Sequence, residues 1–185
     1  MRSAVFFERD GILNLARVAG PRQIAPTALA DFHINPQAEE PLRQLKAAGY
    51  LLLATTNQPG LSQGSQSRHE LDLMHGQLVK AFRLDGVLLC PHSGADDCPC
   101  RKPKAGLILE AAFKWHLDLE RSFVISDKWQ DAKAAHIAGC TSILVKSPWI
   151  GSGHHDFVVA DIAAAAGKIL RVQPSAVVRS TCNAA

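Results

Sequence analysis

"AVFFERDGILN", residues 4–14, opens on an uninterrupted apolar run, meets a carboxylate at Glu8 and a second at Asp10, and then reaches Gly11. So short a run without alternation predicts a strand buried on both faces, the environment of a parallel sheet. Ligands of open α/β sheets lie beyond the carboxyl ends of the strands. A buried strand that ends in two carboxylates and then turns is therefore a natural place for phosphoryl transfer.

Runs of the same kind stand at residues 50–55, 85–89, 122–126 and 141–145. Between them, apolar residues recur at helical spacing over 36–48, 67–82, 104–116 and 130–138, and a last helix is predicted over 161–170. Strands alternating with helices imply a parallel sheet covered on both faces. Right-handed crossovers make this a doubly wound, Rossmann-like α/β domain. Gly49 and Gly139 are placed as helix stops, and Ser65 or Ser67 as the cap of the helix that starts near Arg68.

The chain has 185 residues, is 47% hydrophobic and 20% charged, and carries a net charge of +3. That supports one core. Residues 1–172 read as a single domain, and 173–185, without usable periodicity, as a flexible C-terminal tail. The charges are dispersed, which argues against nucleic acid or an anionic membrane as partner and leaves room for a small anionic ligand. No run approaches the roughly 18 apolar residues of a membrane helix, and the first is too short for a signal peptide. A cytoplasmic monomer acting on a small molecule is the expectation.

Polar residues with chemical capacity follow four of the strands: Glu8 and Asp10, then Thr56 and Asn57, then Cys90 and His92, then Asp127 with Asp131. Carboxylates converging from the first and fourth of these strand ends repel one another unless a cation sits among them, and all-oxygen ligands suit Mg²⁺. With Lys102 and the Thr56 hydroxyl nearby, such a centre receives a phosphoryl group. Of the five cysteines, Cys90, Cys98 and Cys100 cluster beside His92, and without a secretion signal that clustering favours metal over disulfides.

"FFERDGILN", "LLLATTNQPG", "CRKPKAG" and "VISDKWQDA" resemble the four ordered motifs of the haloacid dehalogenase superfamily. "CPHSGADDCPCRKPKAG" resembles the zinc-bearing loop of its heptose bisphosphate and histidinol-phosphate phosphatases. The resemblance spans about residues 3–170 and implies a phosphatase without a large cap domain, acting on a sugar phosphate. A heptose 1,7-bisphosphate on the way to surface glycans comes first. Histidinol phosphate, or a catalytically silent phosphate-binding relative, is the alternative. It further implies a nucleophile at position 8, and Asp10 as general acid and then base. Mg²⁺ would be held by Glu8, Asp10 and Asp127 with Asp131 behind them. Thr56 and Lys102 would stabilise the phosphoryl group, and Asn57, Gln58, Arg101 and Lys128 would contact substrate. A structural Zn²⁺ would sit on Cys90, His92, Cys98 and Cys100.

Two positions depart from the superfamily pattern. Ile12 replaces a common threonine, a mild change. Glu8 stands where the nucleophilic aspartate is expected, and its longer arm is expected to keep the metal and phosphate site while slowing or abolishing turnover. The stretch "LARVAGPRQIAP" also lacks the acidic and aromatic segment common in the heptose enzymes.

Overall fold

The computed structural model describes residues 1–20, 22–151 and 153–172. The expected tail, with Cys182, lies outside them. Ten strands and five α-helices are assigned among the described residues. The strands are β1 (Ala4–Glu8), β2 (Asn14–Leu15), β3 (Arg17–Ala19), β4 (Arg22–Ile24), β5 (His33–Ile34), β6 (Leu51–Asn57), β7 (Gly86–Cys90), β8 (Phe123–Ser126), β9 (Thr141–Val145) and β10 (Phe157–Val159). The helices are α1 (Glu39–Ala47), α2 (Arg68–Phe82), α3 (Gly106–Trp115), α4 (Trp129–Ala138) and α5 (Ile162–Val172).

Six strands form one sheet in the order β10-β9-β8-β1-β6-β7, and every neighbouring pair is parallel. The apolar run of β1 is buried throughout because helices cover both faces. Val5 and Phe7 point into a core with Leu42 and Leu45 of α1, Met74 and Leu78 of α2 and Ile169 of α5. Ala4 and Phe6 face the opposite core, with Leu107 and Ile108 of α3 and Ala135 of α4. The period-2 alternation of a strand thus splits four consecutive apolar residues between two layers.

From β1 the chain proceeds to β6 and β7 on one side, then returns to β8 on the other. The switch point lies between β1 and β8, and crevices at such points are where α/β sheets bind ligands. Between β1 and α1 the described residues include the short antiparallel ribbons β2–β5 and β3–β4.

The helix signals were sound at both ends. Ser67 caps α2 by accepting from the Glu70 N–H, and Gly139 ends α4 with φ +81°. The first predicted helix starts later than expected: residues 36–38 form a 3₁₀ turn, capped by the Asn35 side chain, ahead of α1. Neither the β3–β4 ribbon nor β10 was expected from the sequence.

Candidate active site

Glu8 ends β1 opposite Thr55, and at 4% exposure its carboxylate lies in the crevice wall. Oε1 faces the Asp10 N–H at 3.4 Å, and Oε2 receives the ammonium of Lys102. Burial pushes this carboxyl up, but the charges of Lys102 and Lys128 outweigh it and hold it at about 2. The chain then turns at Gly11 with φ +98°, where a side chain would collide with the Gln23 amide and the Asp127 carboxylate. Only glycine lets the β1 loop approach the β8 loop so closely.

Lys102, buried, bridges Glu8 and Asp131 Oδ1, the latter at 2.6 Å, and donates to the Thr55 carbonyl at 3.2 Å. Its pKa is raised by those two carboxylates in spite of burial. Asp131, in the first turn of α4, is lifted to about 7 by burial, with Lys102 opposing and Glu8 reinforcing the shift. Asn57 binds the Lys102 backbone twice, accepting its N–H and donating to its carbonyl, both at 3.1 Å. Its amide was expected beside the phosphate; in the structure it holds Lys102 in place. Gln58 donates to Asp10 Oδ2 at 2.9 Å and to Thr56 Oγ1 at 2.8 Å, joining two of the expected catalytic groups.

Asp127 follows β8. The ammonium of Lys128 lies 2.6 Å from the Asp10 carbonyl and 2.9 Å from Asp127 Oδ1, while Asp127 Oδ2 accepts from Gln23 at 3.0 Å. These are oxygens expected to hold Mg²⁺, and a cationic head already gathers them. Among the described residues, Asp131 Oδ2 is buried without a hydrogen-bond partner. Four carboxylates, Glu8, Asp10, Asp127 and Asp131, face three cationic groups, Arg9, Lys102 and Lys128. The donor set therefore fits a divalent hard cation. Lys128 was expected to touch substrate; in the structure its ammonium binds the Asp10 carbonyl and Asp127.

Cys90, His92, Cys98 and Cys100 bring their ligand atoms within 4.8 Å of one another. The Cys90–Cys98 and Cys98–Cys100 sulfurs are 3.6 and 3.4 Å apart, and His92 Nδ1 lies 3.6 and 3.3 Å from Cys90 and Cys100. A tetrahedral ion on thiolate and imidazole separates its ligands by about 3.5–3.8 Å, so the four residues fit such a metal. Burial and the neighbouring Cys90 and Cys98 push Cys100 up to about 12, since three crowded thiols resist ionising together until a cation joins them. Arg101, the next residue, donates to the His92 carbonyl at 2.9 Å, which ties the cluster to the loop carrying Lys102.

Three site residues escaped sequence reasoning. Arg9 is fully buried, forks onto Asp10 with Nε–Oδ1 and NH2–Oδ2 both at 3.0 Å, and reaches His75 Nε2 at 3.3 Å. Its one signal was a charge between two carboxylates in an otherwise apolar run. Gln23 and His75 gave none.

Burial, aided by the Arg9 charge, pushes His75 from 6.5 down to about 4, so its neutral ring accepts from Arg9. A depressed histidine contributes stability that is present above pH 6.5 and lost as pH falls toward 4, because the unfolded state takes up the proton first. Asp131 titrates in the same window with opposite sign, since its folded pKa is raised. The measurable quantity is therefore a difference. Between pH 7 and 5, urea unfolding should show native protein losing about 2 kcal/mol relative to His75→Gln. Parallel pH dependences would remove His75 from the account.

A family model described as HAD-hydrolase-like matches residues 99–165. The chain is 36% identical over 137 residues to the D-glycero-β-D-manno-heptose-1,7-bisphosphate 7-phosphatase of Helicobacter pylori strain J99, covering 71% of this chain and 75% of that one. It is 35% identical over 159 residues to the enzyme of that name from Pasteurella multocida, covering 80% and 83%. Among solved structures, a D,D-heptose 1,7-bisphosphate phosphatase from B. bronchiseptica, complexed with magnesium and phosphate, superposes with a TM-score of 0.79 at 25% identity, covering 91% of this chain and 98% of that one.

Proposed function

Because the chain belongs to the D-glycero-β-D-manno-heptose-1,7-bisphosphate 7-phosphatase family of HAD-like hydrolases, we propose that it is a Mg²⁺-dependent phosphatase removing the 7-phosphate of that sugar, with Glu8 slowing its turnover. The observation that carries this reading is the convergence of Glu8, Asp10, Lys102 and Asp127 at the switch point between β1 and β8.

Glu8, the Asp10 carbonyl and Asp127 would hold Mg²⁺, which when bound supplies positive charge to the phosphoryl oxygens. A Glu8 oxygen attacks phosphorus as the bond from phosphorus to the sugar oxygen breaks, and that oxygen takes the proton of Asp10. Water then gives a proton to Asp10 and attacks the phosphorus of the acyl-phosphate, which frees inorganic phosphate and restores the Glu8 carboxylate. Lys102 and the Thr56 hydroxyl face the charge that develops on the transferring group. Asn57 keeps Lys102 in register and Gln58 orients Asp10, and Arg101 and Lys128 would contact the substrate.

The test is phosphate release, with Mg²⁺, from the heptose bisphosphate and from histidinol phosphate, using native protein and Glu8→Asp. Release from neither substrate by either folded protein sinks the reading. Faster release from histidinol phosphate moves the substrate to that amino alcohol.

The Cys₃His cluster is proposed as a closed zinc site. Elemental analysis should find about one zinc per chain, as four protein ligands leave no open position. A double Cys98→Ser, Cys100→Ser variant should lose that zinc and bind inorganic phosphate more weakly, because the loop it organises runs straight into Arg101 and Lys102. A variant that keeps its zinc would contradict this ligand assignment.

A further inference from the structure

An open groove of about 480 Å³ adjoins the metal ligands, lined by Gln23, Lys128, Trp129, Gln130, Trp149 and Gly151. Its inner rim belongs to the site already described, since Gln23 and Lys128 each bind one oxygen of Asp127. Its outer rim carries two indoles that core packing does not explain. Trp129, first residue of α4, is 39% exposed, and Trp149 is half-buried on the loop after β9.

The groove is tied to the catalytic loop by hydrogen bonds. The Trp129 N–H donates to the Trp149 carbonyl at 3.0 Å, the Trp149 N–H to Ser147 Oγ at 3.0 Å, and Ser147 Oγ to the Asp127 carbonyl at 2.5 Å. The backbones of both tryptophans are therefore tied to that of Asp127. Gly151, at φ +60°, lies against Trp129, where a Cβ would come within 3.2 Å of the Trp129 Cβ.

The groove opens beside Asp127, past Lys128, and an ester phosphate bound at that carboxylate would find there a place for its leaving group. What meets it there is an aromatic platform, the two primary amides Gln23 and Gln130, and an ammonium. Aromatic faces accept the C–H face of a sugar ring, amides exchange hydrogen bonds with its hydroxyls, and such polar groups in an apolar pocket fix orientation. Resting on the phosphatase reading above, we infer that this groove is the leaving-group subsite and takes the pyranose ring of the sugar phosphate, with Trp129 as the stacking surface.

Binding is measured calorimetrically with Mg²⁺ and three probes that do not turn over: inorganic phosphate, the heptose with a 7-phosphonate in place of its phosphate ester, and the open-chain 3,4-dihydroxybutylphosphonate. Stacking of this kind is worth about a fivefold to tenfold change in affinity. In Trp129→Ala the ratio of heptose-phosphonate to phosphate affinity falls by about that factor, Trp129→Phe restores most of it, and the open-chain ratio moves less than about twofold. An unchanged heptose ratio, or an equal fall for the open-chain probe, overturns the subsite. Failure of the native protein to bind phosphate at all overturns the phosphatase reading and the subsite with it, whereas phosphate binding with an unchanged ratio overturns the subsite alone.

Discussion

Glu8→Asp should release phosphate from the heptose bisphosphate at least about a hundredfold faster than the native protein. Glu8 is the last residue of β1, and the strand beneath it cannot retreat. Phe7 is paired on one side with Ala54 and on the other with Ile125, and both cores are filled against the strand. The extra methylene therefore appears in full at the carboxylate, an advance of about 1.5 Å. A displacement of roughly 1 Å at a reacting atom costs on the order of a hundredfold in rate, because the in-line geometry of attack is lost.

Metal binding is less sensitive to that advance. Asp127 and the Asp10 carbonyl, which the change does not touch, already converge on a cation. The gain from Glu8→Asp should thus fall on kcat, with Mg²⁺ dependence and KM altered little. Steady-state phosphate release over a range of Mg²⁺ concentrations checks this. Equal rates for two folded proteins would show that the native side chain already reaches phosphorus, and position 8 would lose its role in setting turnover.

The central sheet was legible because β1, β6, β7 and β8 are short apolar runs that meet a residue with a polar or sulfur-bearing side chain at their carboxyl ends. Thr56, Asn57 and Cys90 close β6 and β7 in this way, as Glu8 closes β1. The β3–β4 ribbon was not legible: Arg17, Val18 and Ala19 are all exposed, and without one buried face no alternation is written into the sequence. Arg9 escaped for a different reason. A lone arginine carries no sign of burial in the sequence, and its burial here depends on Asp10 beside it and on His75, 66 positions away. The position of Lys128 follows from the opposing oxygens of two loops, which sequence order does not specify.

Lys102→Met should destabilise the protein by about 3–5 kcal/mol, because removing one member of a buried ion pair leaves its partners charged and unsolvated. Here there are two such partners. Lys102 lies between Glu8 and Asp131, all three nearly inaccessible, and Asp131 already has one oxygen unpartnered. Methionine keeps much of the volume, so the loss reports on charge rather than on a cavity. A deficit of this size lowers the melting temperature by roughly 10 °C in a domain of this length.

The pH dependence gives the cause. Without the ammonium, the folded-state pKa of both Glu8 and Asp131 rises, above the unfolded value for Asp131 in particular. A carboxyl with a raised folded pKa destabilises at high pH and ceases to do so as pH falls through that pKa and the group protonates. Lys102→Met should therefore lie furthest from the native protein at pH 8 and draw closer at pH 5, and adding Asp131→Asn should recover part of the loss at pH 8. Urea denaturation at both pH values reads all of this. A deficit equal at pH 5 and pH 8 would mean that Lys102 supports the fold through packing alone, and a phosphate affinity untouched by the same substitution would remove it from the phosphoryl site.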